Sequence, residues 1–160
     1  MNQEAKKYVL RLFTYGLYAV TVRQEEEVAA MTANFLTQSA FDPPMVTVAV
    51  EVGSKTHRLI EASGRFAINV FASGQRELAG QLGRKSANVP DKLAGVAWTA
   101  GPLTGAPILA EALAWLECEV RGRVASGDHT VFVAEVVEAG VQREGGMPLT
   151  MAETGFRHFG

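Results

Sequence analysis

The stretch that decides how this chain is read begins Met31-Thr-Ala-Asn-Phe-Leu-Thr-Gln-Ser-Ala-Phe-Asp-Pro-Pro44. It continues through the apolar run Met45-Val-Thr-Val-Ala-Val-Glu-Val52 into Gly53-Ser-Lys-Thr-His-Arg58. Pro43 and Pro44 have no N–H for a sheet ladder, so they end whatever precedes them. The β-branched run over 45–52 predicts a strand buried on both faces. Gly53 and Ser54 turn the chain. Over 56–63, Leu59, Ile60 and Ser63 fall at helical spacing, and Gly64 is placed as the helix stop. Ahead of the prolines, small polar side chains alternate with Phe35, Leu36 and Phe41, a mixture that neither a core strand nor a solvent loop requires.

Outward from this centre the chain is rich in strands. Residues 1–16 read as a lead-in to a strand over 17–22. Gln24-Glu25-Glu26-Glu27 reads as a solvated hairpin tip, and 28–33 as the returning strand. Residues 66–71 predict a further strand, and 74–82 a short helix ended by Gly83. Residues 84–109 carry Gly95, Gly101, Pro102, Gly105 and Pro107, which predicts a long structured excursion with a short strand near 96–99. Over 114–124 the pattern alternates, with Leu116, Cys118 and Val120 on one face and Glu117, Glu119 and Arg121 on the solvent face. Ser126-Gly127-Asp128-His129 reads as a turn before a strong strand over 130–141. The fold class is therefore mainly β with short helices, an antiparallel barrel in which closure removes exposed edges. At 160 residues, 48% of them hydrophobic, the chain reads as one domain over 1–160.

Composition excludes several function classes. The formal net charge is -2 and no basic block or stripe occurs, so no nucleic-acid surface is expected. Cys118 is the sole cysteine, which excludes an intrachain disulfide and multi-cysteine metal centres. His57, His129 and His158 lack metal-ligand spacing, so no metal is expected. No apolar signal core and no membrane span is read, and a cytoplasmic location is the default.

Neither a Gly-x-Gly-x-x-Gly fingerprint nor a Walker loop is present. The candidate phosphate site is instead Ser54, Lys55 and Thr56, where a helix start offers unpaired N–H groups, two hydroxyls and an ammonium. An ordinary N-cap with an exposed lysine explains the same residues. A second cluster, Thr32, Ala33, Asn34, Thr37, Gln38 and Ser39, can match the carbonyl and nitrogen edges of a flat ring system. A polar outward strand face explains it equally. His129, beside Asp128, is a candidate ligand or proton carrier, or simply a turn residue.

The order and separation of these pieces resemble the flavin reductase-like family, whose fold is the FMN-binding split barrel. The likeness is carried by the 31–39 and 41–44 stretches and by Ser54-Lys-Thr-His57. It continues through Ser63-Gly-Arg-Phe-Ala-Ile-Asn-Val70, Asp91-Lys-Leu-Ala-Gly-Val-Ala-Trp98, Leu116-Glu-Cys118 and Gly127-Asp-His-Thr-Val-Phe-Val-Ala-Glu-Val136. Thr14-Tyr-Gly-Leu-Tyr18 and the Asn34 run look closest to the branch of flavoredoxins and rubredoxin-associated flavin reductases.

The resemblance implies FMN, with FAD or riboflavin as variants, bound at a homodimer interface. The residues of the 32–39 cluster would line its ring and ribityl portions, Ser54, Lys55 and Thr56 would hold its phosphate, and His129 would lie near flavin and nicotinamide. The activity implied is an NAD(P)H-dependent flavin reductase that moves hydride from nicotinamide to flavin. The alternative is a flavoredoxin-like electron carrier serving a redox partner protein without oxidising NAD(P)H itself.

Overall fold

A computed structural model describes residues 1–160. Nine strands run in chain order: β1 Tyr18–Gln24, β2 Glu27–Ala33, β3 Leu36–Ala40, β4 Met45–Glu51, β5 Arg65–Val70, β6 Trp98–Ala100, β7 Pro107–Leu109, β8 Ala114–Ser126 and β9 His129–Val141. Four helices, α1 Gln3–Leu10, α2 Lys55–Ser63, α3 Arg76–Leu82 and α4 Met151–Thr154, punctuate them.

Seven strands form one sheet in the order β2-β1-β5-β8-β9-β4-β3, and every pairing is antiparallel. The two strands at the ends of that order, β2 and β3, are joined in sequence by Asn34 and Phe35 alone. So short a link brings the ends of the sheet together, so the sheet curls into a barrel. No ladder joins β2 to β3, which leaves one seam unzipped. The interior holds Val20, Val22, Val46, Val48, Val50, Phe66, Ile68, Cys118 and Phe132, with Leu59 and Ile60 of α2 packed against them. Burial pushes the Cys118 thiol up to about 12, the neighbouring Glu117 adding to the effect.

A second apolar layer lies outside the barrel. Ala19, Ala30, Phe71, Ala79, Leu82, Leu93, Leu109 and Leu149 join α3, the excursion and the C-terminal segment to the outer face of β1 and β2. This layer explains why residues 19–22 of β1 are buried on both faces although they include Thr21. The Thr21 hydroxyl donates to the Pro107 carbonyl at 2.6 Å, and buried Asn69 accepts from the Leu109 N–H at 2.8 Å. The β6–β7 ribbon is thereby fastened to β1 and β5.

The structure differs from the sequence reading at several points. The lead-in is a helix, α1, started by Asn2, whose side chain accepts from the Ala5 N–H. None of its residues is buried, so no core periodicity marked it. β4 is not buried on both faces. It alternates between buried Val46, Val48 and Val50 and half-buried Met45, Thr47 and Ala49, as suits a strand with a covered inner face only. Residues 36–40 form a strand of their own. The excursion's strand begins at Trp98 and has a partner, β7, that was not foreseen.

Glu117 does not face solvent: it is 0% exposed. It keeps the face opposite Leu116 and Cys118, paired with Ala67 of β5, but the β6–β7 turn folds over that face. The Glu117 carboxylate accepts from the Leu103 and Thr104 N–H groups at 3.1 and 2.8 Å and from the Thr104 hydroxyl at 2.6 Å. Gly101 packs so close to that carboxylate that a side chain there would collide with it. Gly83 does follow α3, but with right-handed φ of -79° rather than the left-handed stop seen at Gly64, where φ is 67°.

Candidate flavin-binding cleft

The unzipped seam opens into a cleft of about 310 Å³. The end of β2 and the Asn34-Phe35 link supply one wall. The end of β4, the 52–54 turn and the tip of α2 supply another. Residues 83–87 and Lys92 close the top, and His129 and His158 close the far end.

The α2 tip is built locally. Gly53 takes φ of +87°, a left-handed turn that side chains resist, and swings the chain from β4 into the helix. Ser54 caps it by accepting from the His57 N–H at 3.1 Å. The Lys55 and Thr56 N–H groups have no partner within the chain, and the hydroxyl of Thr56, 2% exposed, makes no hydrogen bond there either. Three donors at the positive end of a nine-residue helix therefore border the cleft. Cations gather at the same end: Lys55, Arg84, Lys85 and Lys92, against the single carboxylate of Glu51.

Lys92 is 9% exposed and donates from Nζ to the Leu82 carbonyl at 3.0 Å. Burial, with a smaller push from Lys55, lowers its ammonium to about 8. Nothing in its local sequence marked it. Its burial comes from the packing of the excursion on α3, which no local pattern encodes.

The opposite end is aromatic. His129 opens β9, opposite Glu51 of β4, and its Nδ1 lies 2.6 Å from Asp128 Oδ1. That hydrogen bond is the main reason the exposed Asp128 carboxyl sits below the usual carboxylate range. The contact fixes the ring by one nitrogen and leaves Nε2 without a partner in the chain. The Phe35 ring packs against His129 on one side and His158 on another, at centroid separations of 5.6 and 5.9 Å. Asn34 Nδ2 donates to the His158 carbonyl at 2.9 Å, tying the C-terminal segment across this end.

Of the candidate residues read from sequence, Thr32, Ala33, Asn34, Ser54, Lys55, Thr56 and His129 meet in the cleft. Thr32 uses its hydroxyl to hold α3, donating to the Ala79 carbonyl at 2.6 Å, so its backbone is the part free to face a ligand. Thr37, Gln38 and Ser39 do not line the cleft. They lie exposed on β3, whose outer edge has no strand partner in the chain. His57 points away from the cleft, with Nε2 2.8 Å from the Thr130 hydroxyl. Arg84 and Lys85 line it too, from the 84–91 segment that the resemblance implies reaches the phosphate or a partner subunit without naming a residue; Lys92 and His158 were not foreseen.

These features fit a phosphorylated flavin: the orphan donors and cations suit a phosphate, and the Asn34-Phe35 wall suits a ring with polar edges. No helix is long and apolar enough to cross a membrane, and no group of three metal-ligating side chains converges.

Comparison with known proteins agrees with this chemistry. The flavin reductase like domain model matches residues 10–160. The high molecular weight rubredoxin of Moorella thermoacetica is 35% identical over 89% of this chain and 62% of its own. An NADH-dependent flavin reductase of Pseudomonas fluorescens is 33% identical over 84% of this chain and 76% of its own. The solved NADH:FAD oxidoreductase of Streptomyces globisporus superposes with a TM-score of 0.84 at 31% identity, covering 99% of this chain and 92% of that one. The chain thus spans less than two thirds of the rubredoxin relative's length. With an antiparallel barrel, a helix tip bearing unpartnered donors at its seam and a matching domain over 10–160, the chain belongs to the flavin reductase-like family.

Proposed function

We propose that this protein is an NAD(P)H-dependent flavin reductase that binds FMN or FAD in the seam cleft. The observation that carries the reading is the convergence of two unlike ends in one cleft: the unpartnered donors of Lys55 and Thr56, and the ring of His129.

A bound flavin supplies hydride acceptance from the nicotinamide. The chain's own contribution is binding and placement. Ser54 keeps the helix tip formed, while Lys55, Thr56 and Lys92 hold the phosphate. Ala33, Asn34 and the Thr32 backbone face the ring edges. Asp128 orients His129, which positions the nicotinamide. A further cavity of about 430 Å³ shares Phe35, Ala49, His129 and His158 with the cleft and carries Arg157 on its rim, which makes it the natural approach for that nucleotide.

Thr37, Gln38 and Ser39 enter the site through a second copy of the chain. Support comes from the free edge of β3, from Phe41 at 91% exposure and from the exposed Tyr8, Val9, Leu12 and Phe13 around α1, an apolar surface suited to association. A homodimer with flavin at the interface, in the cytoplasm, completes the proposal.

Anaerobic mixing of the flavin-loaded protein with NADH or NADPH tests it. Bleaching of the flavin absorbance with either nucleotide is expected, and its absence with both would turn the reading to the electron carrier. His129→Ala should slow bleaching at least tenfold while changing FMN affinity less than about threefold, a split that separates nicotinamide placement from flavin holding.

A further inference from the structure

Lys92 carries chemistry that holding a phosphate does not use. It borders both the cleft and an adjoining cavity, so it meets small molecules from the ligand side although only 9% of it is exposed. No carboxylate pairs with it. The bond from Nζ to the Leu82 carbonyl engages one N–H and fixes the nitrogen in place. Burial and the neighbouring Lys55 lower the ammonium to about 8. At about pH 7.5 roughly a quarter of it is then free amine, against roughly one part in a thousand for an ordinary lysine. Weaker basicity costs nucleophilicity, but with a dependence as shallow as that of thiols a net advantage of roughly tenfold survives.

A reactive amine alone selects no reagent. This one shares its cleft with the unpartnered N–H groups of Lys55 and Thr56 and with the buried, unbonded Thr56 hydroxyl. Donors that grip a phosphate thus stand beside a nucleophile. The reagent that matches both is a small acyl phosphate, in which the phosphate is at once the anchor and the leaving group. The helix tip, Lys55, Arg84 and Lys85 share the charge of that phosphate, so Lys92 need not stay an ammonium to balance it.

Resting on the phosphate end of the flavin cleft, we infer that Lys92 is a self-acylation site for small acyl phosphates and that its acylation turns flavin affinity down. The Lys92 nitrogen attacks the acyl carbon, and an N–C bond forms as the C–O bond to phosphorus breaks. The phosphate leaves with the electron pair, and the proton lost from nitrogen passes to it or to water. The amide product carries no charge, which removes one cation from the flavin phosphate. A flavin already in place covers Lys92 and protects it.

Acetyl phosphate at about pH 7.5, with peptide mass spectrometry as the readout, tests this. In the flavin-free chain Lys92 is expected to acetylate at least roughly tenfold faster than the exposed Lys6 and Lys7. With p-nitrophenyl acetate, which brings no phosphate to anchor, that ratio should fall at least about fivefold. Saturating FMN should slow Lys92 labelling at least about tenfold and leave Lys6 and Lys7 unchanged, and the acetylated chain should bind FMN roughly tenfold more weakly. Lys92 labelled no faster than Lys6 and Lys7, or the same ratio with both reagents, would overturn the inference. So would bound FMN that leaves Lys92 labelling unaltered, or full acetylation that leaves FMN affinity unaltered. Selective labelling of a chain that binds no FMN would instead remove the flavin reading while sustaining the acyl-phosphate site.

Discussion

Two regions deliver positive charge to the same end of the cleft by opposite means. The α2 tip is a local device: Gly53 turns, Ser54 caps, and Lys55 and Thr56 follow within the next two residues. The segment from Arg84 to Leu109 is held from a distance. Lys92 hangs on the Leu82 carbonyl, Gln81 grips the Lys92 and Ala94 carbonyls at 2.8 and 3.1 Å, and Glu117 of β8 anchors the far turn. The first region withstands loss of any one tertiary contact because its conformation is written into consecutive residues. The second depends on a few buried polar bonds, so its cations are only as well placed as those bonds are intact.

The sharpest way to break this contrast is Glu117→Ala. It orphans the Leu103 and Thr104 N–H groups inside the protein, and should cost roughly 3 kcal/mol, seen as a fall in Tm of about 6–12 °C. A Tm within about 2 °C of the parent would show that the excursion holds itself. On the local side, Lys55→Ala combined with Thr56→Ala should weaken FMN roughly 30–100-fold, as expected for losing a charge-assisted hydrogen bond and a hydroxyl donor. Riboflavin, lacking the phosphate, should change less than about threefold. Equal losses for both ligands would remove the phosphate from the helix tip.

Lys92 makes the contrast titratable. Its folded value lies near 8, below its ordinary 10.5, so the buried ammonium is disfavoured and the ligand-free fold gains stability as pH rises from about 8 to 10.5. Anion binding runs the other way, because the phosphate favours the charged lysine. FMN affinity should therefore fall by up to roughly tenfold between pH 7 and 9. Lys55, Arg84, Lys85 and Glu51 face the same space, so Lys92→Met is the control. It should flatten the pH profile, and an unflattened profile would assign the titration to a neighbour. The smallest effect belongs to the cap: Ser54→Ala should cost about 1 kcal/mol of stability, read as a Tm lower by about 2–4 °C.

The same contrast explains what the sequence made legible. The 45–64 region was readable because prolines, Gly53, Ser54 and Gly64 are punctuation whose meaning is conformational and local. The strand-rich character and the β8–β9 hairpin followed from alternation. Glu117 was misread because alternation assigns a face without knowing what covers it, and the covering ribbon comes from residues 98–109. Lys92 went unassigned for the same reason: an exposed loop lysine and a buried one look alike in one dimension. Thr37, Gln38 and Ser39 are the mirror case. Their polar pattern was visible, yet a single chain leaves them facing outward on β3.

Cys118 offers an unplanned gauge of these differences. Its sulfur is hidden in the barrel interior, and at neutral pH it stays protonated. An alkylating reagent can reach it only when the strands around it part. The rate of labelling therefore counts breathing events of the interior with no introduced probe, and any ligand that clamps the seam should slow that clock.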